Sequence, residues 1–379
     1  MTNTLFQARV DGAPPPVARC SENTRAACPQ FRSTVGETRQ ALPYADGWFL
    51  ACFAHELKPG QVRTVAFMGQ DLVLYRTHAG LVRVVEPYCP HLGAHLGHGG
   101  KVDGEHLVCP LHGLAFGPDG GCVRTGGGDS PPRAALTARH AREVDGGILV
   151  WVDHAGLPPT WEMPTQDFEA GSAALYVHQE LKGQAHDGVE NSADVAHFGW
   201  VHGLTDTQMS YRIDGSLFEV TLTARWKGQR FLGTFLNYGV GCAVGLFHMP
   251  DLGVRLNSIA HFVQTEPLKW RLDVANQLSI ARVNRWPPML RNLTYRMLVP
   301  FANFWLGWFV KPDYQIWNAK RFVRHPQLIA SDKTMIAHRR WASRFYPGGL
   351  VDGLDPGALP VPSQRDTAPV RLREASHAP

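Results

Sequence analysis

The sequence lacks a disulfide framework, a strong charge of either sign and any long apolar run. Seven cysteines in 379 residues are too few to staple a secreted scaffold, and free thiols suit a reducing compartment. A formal net charge of only +4 excludes the basic balance of a nucleic-acid binder. No stretch of about eighteen apolar residues is present to span a bilayer. The N-terminus has no charged start followed by an apolar segment, so no signal peptide is read there. The expected location is cytoplasmic, with no transmembrane segment and with peripheral membrane contact left open. Internal repeats are absent.

What is present begins with Cys89-Pro90-His91 and Cys109-Pro110-Leu111-His112, separated by seventeen residues. Each short segment offers one thiolate and one imidazole. A structural zinc site is the alternative, but zinc sites usually draw both cysteines from one loop and both histidines from another. One of each per loop is the spacing of a Rieske [2Fe-2S] cluster, in which two thiolates hold one iron and two imidazoles the other. That substitution raises the reduction potential far above that of an all-cysteine cluster. The chain is therefore expected to handle single electrons.

The length allows two domains, and 44% hydrophobic residues is the share of an ordinary globular protein. Residues 1–41 show no periodicity and read as an arm. From residue 42 to 155, short apolar runs at 62–67, 72–75, 81–85, 106–109 and 148–152 alternate with turn-rich separators such as Met68-Gly69 and Asp145-Gly146, the pattern of a small all-β module. Ala155-Gly156-Leu157-Pro158-Pro159 reads as a linker to a mixed α+β domain over 156–347, and 348–379 reads as a tail.

In that second domain, Glu190 to His202 concentrates two carboxylates and two histidines. Non-heme iron oxygenases place two histidines and one carboxylate on one face of Fe(II) and leave positions open for dioxygen and substrate. His197 and His202 are the candidate imidazoles. A five-residue step on an ideal helix turns about 140° past a full turn, so a π-like or 3₁₀ distortion eased by Gly199 is expected between them. Asp194, three residues before His197, is expected on the same helix face as a partner for an iron ligand. Solvated polar residues on a helix surface are the alternative, and the coupling to a cluster site weighs against it.

Together these motifs resemble the oxygenase component of the Rieske non-heme iron oxygenases, over roughly residues 45–347. In that family an acidic residue, Asn, Asp, His and His follow the cluster domain in order, and Glu190, Asn191, Asp194, His197 and His202 match. The resemblance implies an α+β fold: an all-β Rieske domain, then a catalytic domain whose central antiparallel sheet has the helix-grip arrangement. It implies a mononuclear Fe(II) beside the [2Fe-2S] cluster and a homotrimer, with Asp194 bridging an iron-ligand histidine to a cluster-ligand histidine of a neighbouring subunit. The third iron ligand is implied to be Asp313, since Asp313-Tyr314-Gln315-Ile316-Trp317 is similar to the Asp-x-x-Ile-Trp segment of the branch containing 3-ketosteroid hydroxylases and aminopyrrolnitrin oxygenase. Asp332 and Asp273 are lesser candidates. The alternative for Asp313 is that it is simply a favourable N-terminal residue in the first turn of a helix. One departure is Leu114, where the family often has Trp after His-Gly.

No plant-type Cys-x₄-Cys-x₂-Cys run or dinucleotide fingerprint is visible, and Gly126-Gly127-Gly128 lacks the G-x-G-x-x-G spacing. Electrons are therefore expected from a separate NAD(P)H-dependent reductase, with or without a ferredoxin. The expected substrate is a sterol or steroid, to be hydroxylated, oxidatively demethylated or desaturated. An arylamine N-oxygenase or another tailoring oxygenase is the enzymatic alternative. A redox sensor or binding protein that keeps the cluster without oxygenase chemistry is the alternative of another class, and the intact His197, His202 and Asp194 weigh against it. Met297 to Val310, apolar almost all round, is expected as a buried helix walling an apolar pocket. Lys320, Arg321, Arg324, His338, Arg339, Arg340 and Arg344 are expected on a solvated basic face that could dock an acidic electron donor.

Overall fold

The computed structural model describes residues 41–350 and the two-residue strand Val370–Arg371. The expected arm and tail lie almost wholly outside the described residues.

Short apolar runs between turns become short strands: β1 (Gly47–Phe53), β2 (Val62–Phe67), β3 (Gln70–Arg76), β4 (Val82–Val85), β5 (Lys101–Asp103), β6 (His106–Val108), β7 (Ala115–Phe116), β8 (Cys122–Arg124), β9 (Ala141–Val144) and β10 (Gly147–Val152). They form three antiparallel sheets, β1-β10-β9, β2-β3-β4 and β5-β6-β7-β8. All five expected runs fall on strands. Met68-Gly69 and Asp145-Gly146 carry positive φ at both positions, the two-residue hairpin geometry whose twist matches that of the flanking strands. Val73, Tyr75, Leu96, Leu107 and Phe116 are buried together as a small core. The two cluster-motif loops emerge from this core, between β4 and β5 and between β6 and β7.

The rest is a large antiparallel sheet with helices. Its elements are β11 (Leu175–Lys182), α1 (Ala185–Glu190), α2 (Val195–Trp200), β12 (Thr205–Asp214), β13 (Leu217–Trp226), β14 (Gln229–Tyr238), β15 (Cys242–Met249), β16 (Val254–Glu266), β17 (Lys269–Ile280), α3 (Ala281–Asn284), α4 (Pro288–Ala319) and α5 (Lys333–Ala342). Strand order is β11-β17-β16-β15-β14-β13-β12, edged by β18 (Val370–Arg371). β13 shows the alternation of a half-buried strand, with Phe218, Val220, Leu222 and Ala224 inward. The core is continuous with the first sheet: Trp48, Leu50 and Val150 pack in the same cluster as Val220, Leu222, Val244 and Trp341. Arg271 on β17 donates to the carbonyl of Ala51 on β1 at 2.9 Å.

α4 is the element that matters most for the site. Pro288 opens it at a position where the missing N–H costs nothing, and its 32 residues extend about 48 Å. One face of α4 and the concave side of β11 and β14–β17 enclose a cavity of about 640 Å³. The expectation of a buried helix over 297–310 holds for that face alone. Met297, Phe304 and Trp308 on the opposite face are 73%, 75% and 65% exposed.

Candidate metal centres and their cavity

The two cysteine loops repeat one backbone design. Cys89 N–H donates to the carbonyl of Ala94 at 2.9 Å, and Cys109 N–H to that of Leu114 at 2.8 Å. Each cysteine carbonyl in turn accepts from a glycine four residues on, Gly93 or Gly113, and both glycines have positive φ, which other side chains adopt at a cost. The outcome is two tight turns that bury the thiols of Cys89 and Cys109 side by side while leaving the rings of His91 and His112 exposed, their centroids 4.8 Å apart. Burial pushes the Cys89 thiol up from its usual value, the backbone N–H of His91 opposes this, and the neighbouring Cys109 adds to it. Two adjacent buried thiols become thiolates only with a cation between them, so the donor set fits an iron–sulfur cluster.

Gly126 presses on the second loop. Its N–H donates to His112 O at 3.2 Å, and a Cβ there would stand 2.5 Å from the same oxygen. The departure at Leu114 leaves a buried aliphatic residue under the cluster loop. Cys122 is only half-buried beside the thiols.

The second centre is assembled from α2, the turn after it, and α4. His197 Nε2 lies 3.0 Å from His202 Nε2 and 2.9 Å from Asp313 Oδ1, and His202 Nε2 lies 3.4 Å from Asp313 Oδ2. All three side chains are less than a tenth exposed. Asp313 Oδ1 has no aligned hydrogen-bond partner despite this proximity: the lone pairs converge on a common point rather than on one another's protons. Burial would raise the Asp313 carboxyl, but the two imidazoles hold it below the ordinary carboxylate range. Ligand bonds of about 2.1 Å at right angles put neighbouring donor atoms about 3.0 Å apart, which is the spacing found here. The residues therefore fit a two-histidine, one-carboxylate metal site, and among the described residues this is the group of such side chains that converges.

Three expectations about local geometry are corrected. The segment from Glu190 to His202 is not one helix: a 3₁₀ turn at Asn191–Ala193 separates α1 from α2, and Asp194 sits between them with extended φ and ψ of −95° and 95°. Asp194 is thus the N-cap of α2, accepting from His197 N–H at 3.1 Å, rather than a neighbour of His197 on a helix face. No π or 3₁₀ distortion separates the two histidines; Val201 and Gly203 keep bonds to residues four earlier, and the turn after α2 closes at a left-handed Gly203. The rings converge because His202 lies in the turn where the helix stops. Asp313 is deep inside α4, directly after the interior Pro312, not in a first turn. Proline blocks one ladder bond there and frees a carbonyl.

Asp273 and Asp332 are engaged elsewhere. Asp273 accepts from His178 Nδ1 at 2.7 Å and pairs with Arg271, while Asp332 caps Ile329 N–H at 2.9 Å. The expected basic face is in part a buried ion network. Arg339 makes a bidentate pair with Glu190, and Lys320 lies 2.9 Å from Asp187. His338 is fully buried. Burial alone would raise Glu190, yet Arg339 and Lys320 hold it down to about 2. This network ties the α1 turn that leads to His197 to the end of α4 and to α5.

Two contacts at the site had weak or no signal in the sequence. Asn191 Nδ2 lies 3.0 Å from His197 Nε2, and Phe309 stacks on His202 with centroids 4.2 Å apart. Asn191, His202 and Asp313 line one end of the cavity, whose walls are mostly Phe, Leu, Val and Trp from α4 and the sheet. Ser258 and Asn276, paired at 2.6 Å, also line it, a polar pair in an otherwise apolar wall of the size that holds one small molecule.

Known proteins share this organisation. Residues 47–131 match the Rieske [2Fe-2S] domain, and residues 150–249 and 283–346 match the 3-ketosteroid 9alpha-hydroxylase C-terminal domain. Over 326 residues, 80% of this chain, the sequence is 32% identical to cholesterol 7-desaturase nvd of Bombyx mori and covers 70% of it. It is 25% identical to the oxygenase component of 3-ketosteroid-9-alpha-monooxygenase of Mycolicibacterium smegmatis, over 81% of this chain and 84% of that protein. Crystalline dicamba monooxygenase bound to 3,6 dichlorosalicylic acid has the same fold, with a TM-score of 0.58 at 17% identity, over 79% of this chain and 97% of that one.

Proposed function

Because this chain belongs to the Rieske non-heme iron oxygenases, we propose that it is the oxygenase component that oxidises a sterol or steroid in the α4 cavity. The observation that carries the reading is that His202 and Asp313, on which His197 converges, line an apolar cavity of about 640 Å³. When bound, a [2Fe-2S] cluster and a mononuclear iron supply one-electron transfer and dioxygen reduction.

The chain's own residues set up that chemistry. Cys89, His91, Cys109 and His112 hold the cluster, with both imidazoles on the exposed side where an electron donor can approach. His197, His202 and Asp313 would hold the iron, and two histidines with one carboxylate form a donor set that suits Fe(II) chemistry with dioxygen. Phe309 fixes the His202 ring by stacking, and Asp194 fixes the start of α2 through the His197 N–H. The apolar walls exclude water and orient a rigid polycyclic substrate, so that one carbon is presented to the metal. Ser258 and Asn276, in the cavity lining, offer hydrogen bonds to an oxygen substituent of the substrate.

Electrons come from a separate NAD(P)H-dependent reductase, with or without a ferredoxin. The assembly is a homotrimer in which the half-buried Asp194 faces the cluster histidines of a neighbouring copy. Relatives divide between desaturation and hydroxylation, and the higher identity lies with the desaturases. Incubating the iron-loaded protein with a reductase, cholesterol or a 3-ketosteroid, and ¹⁸O₂ separates these: mass spectrometry shows a product two hydrogens lighter without label, or one carrying a single labelled oxygen. Absence of both products with every sterol and steroid, in protein containing both metals, contradicts the reading.

A further inference from the structure

α4 is apolar on opposite faces, and only the inner one is accounted for by the cavity. On the outer face Leu293, Met297, Phe304 and Trp308 are all more than half exposed, spaced by steps of about four, seven and four residues, so that they share one side. A helix apolar all round is ordinarily buried all round, and an exposed stripe of this extent is a contact surface.

The charges around the stripe indicate what covers it. Arg282, Arg285, Arg296 and Lys311 are exposed along the same segment, with Trp286 and Met289 between them. No Asp or Glu occurs anywhere between Asp273 and Asp313. Two copies packed through this face would bring cations against cations with no carboxylate to meet them. An anionic bilayer surface supplies both missing partners: aromatic and thioether side chains enter the boundary of headgroups and acyl chains, while arginine and lysine heads reach phosphate. No described helix is long and apolar enough to cross a membrane, so the contact is with the surface.

We propose that the outer face of α4 docks on an anionic lipid bilayer, with Met297, Phe304 and Trp308 entering the interface and Arg282, Arg285, Arg296 and Lys311 contacting lipid phosphate. Phe301 is exposed on this face yet also lines the cavity, so the docked helix puts a mouth of the cavity against the lipid. The attachment does not depend on which substrate fills the cavity, and its failure is distinguishable from a failure of the sterol reading.

The test is flotation of the full-length, cluster-loaded protein with vesicles of phosphatidylcholine alone or with about a quarter phosphatidylglycerol. The expected result is flotation with the anionic vesicles only, reversed by raising salt to about 0.5 M. Met297→Glu/Phe304→Glu/Trp308→Glu lowers the floated fraction at least about tenfold while keeping the cluster spectrum and the native oligomeric mass. Arg282→Gln/Arg285→Gln/Arg296→Gln gives a similar loss through charge alone and keeps the test decisive if the first variant does not fold. Failure of the wild type to float, or equal flotation by a folded variant, overturns the proposal. A folded glutamate variant with a smaller oligomeric mass also overturns it, because the face would then pack on another copy.

Discussion

His197 Nε2 stands 2.9 Å from Asp313 Oδ1, although one belongs to a short helix between the first two strands of the large sheet in chain order and the other to a long helix after the last of β11–β17. The two are brought together by the sheet that folds between them, and no hydrogen bond of good alignment explains the approach. Asp313→Ala is therefore expected to lower iron from about three per chain to about two, leaving the cluster spectrum intact. Iron analysis after anaerobic purification checks this. Unchanged iron content removes Asp313 from the ligand set, and cluster iron alone in the wild type favours a redox sensor.

The Glu190–Arg339 pair should hold the fold as well as the site. Arg339→Met leaves a nearly fully buried carboxylate with only Lys320 nearby, and losing one partner of such a pair costs about 3–5 kcal/mol. Glu190→Gln/Arg339→Met should recover part of that loss. Urea unfolding of the three proteins measures it; an additive double mutant contradicts direct pairing.

Stability should fall on mild acidification. Burial drives His186 and His261 down to about 3 and His338 down to about 4, below the unfolded value of about 6.5. The unfolded chain then takes up protons first, so their contribution is complete above about pH 6.5 and is lost as the pH drops toward about 4 for His338 and about 3 for His186 and His261. The Tm should be lower at about pH 5 than at about pH 7.5, and His338→Gln should narrow the difference. An unchanged slope in that variant rules out His338 as a source.

Gly126→Ala should disturb the cluster from outside its ligand set. A methyl group meets His112 O at 2.5 Å, backbone against backbone, so the second loop must shift. A lowered cluster occupancy or altered electron paramagnetic resonance g-values are expected, and a wild-type spectrum at full occupancy contradicts the packing described.

Trp305 and Phe309 wall the cavity, and Phe309 also braces His202. Trp305→Ala and Phe309→Ala should each weaken sterol binding by roughly tenfold or more, since each removes apolar wall area worth about 25 cal/mol per Å² of contact with the ligand. Ligand titrations followed by calorimetry show this directly. Unchanged affinities would remove sterols from the cavity.

The sequence made most of the cluster site legible because its ligands lie in two short loops with fixed spacing, and local turns need no distant partner. His197 and His202 were legible for the same reason. Asp313 was reachable only through resemblance, since spacing along the chain says nothing about which carboxylate a sheet will carry back to two histidines. The helix break at Asp194 was missed because the motif was read at helical spacing, whereas its side chain caps the next helix. The basic run near α5 is surface only in part: Arg321, Arg340 and Arg344 are exposed, while Arg339 finds Glu190 across 149 residues, a pairing that no local pattern reveals. The outer face of α4 looked like core for the opposite reason, as composition cannot tell a buried apolar face from one that meets another phase.

In the proposed function the metal triad and the α4 cavity form one reaction site. A single-turnover experiment tests it most directly: chemically reduced protein with both metals bound is mixed with a cholesterol or 3-ketosteroid substrate, exposed to dioxygen without any reductase, and quenched. The expected result is an oxidised sterol in amounts approaching the number of iron-loaded sites, and none from His197→Ala with its cluster intact. Full metal content and bound sterol with no product would contradict it.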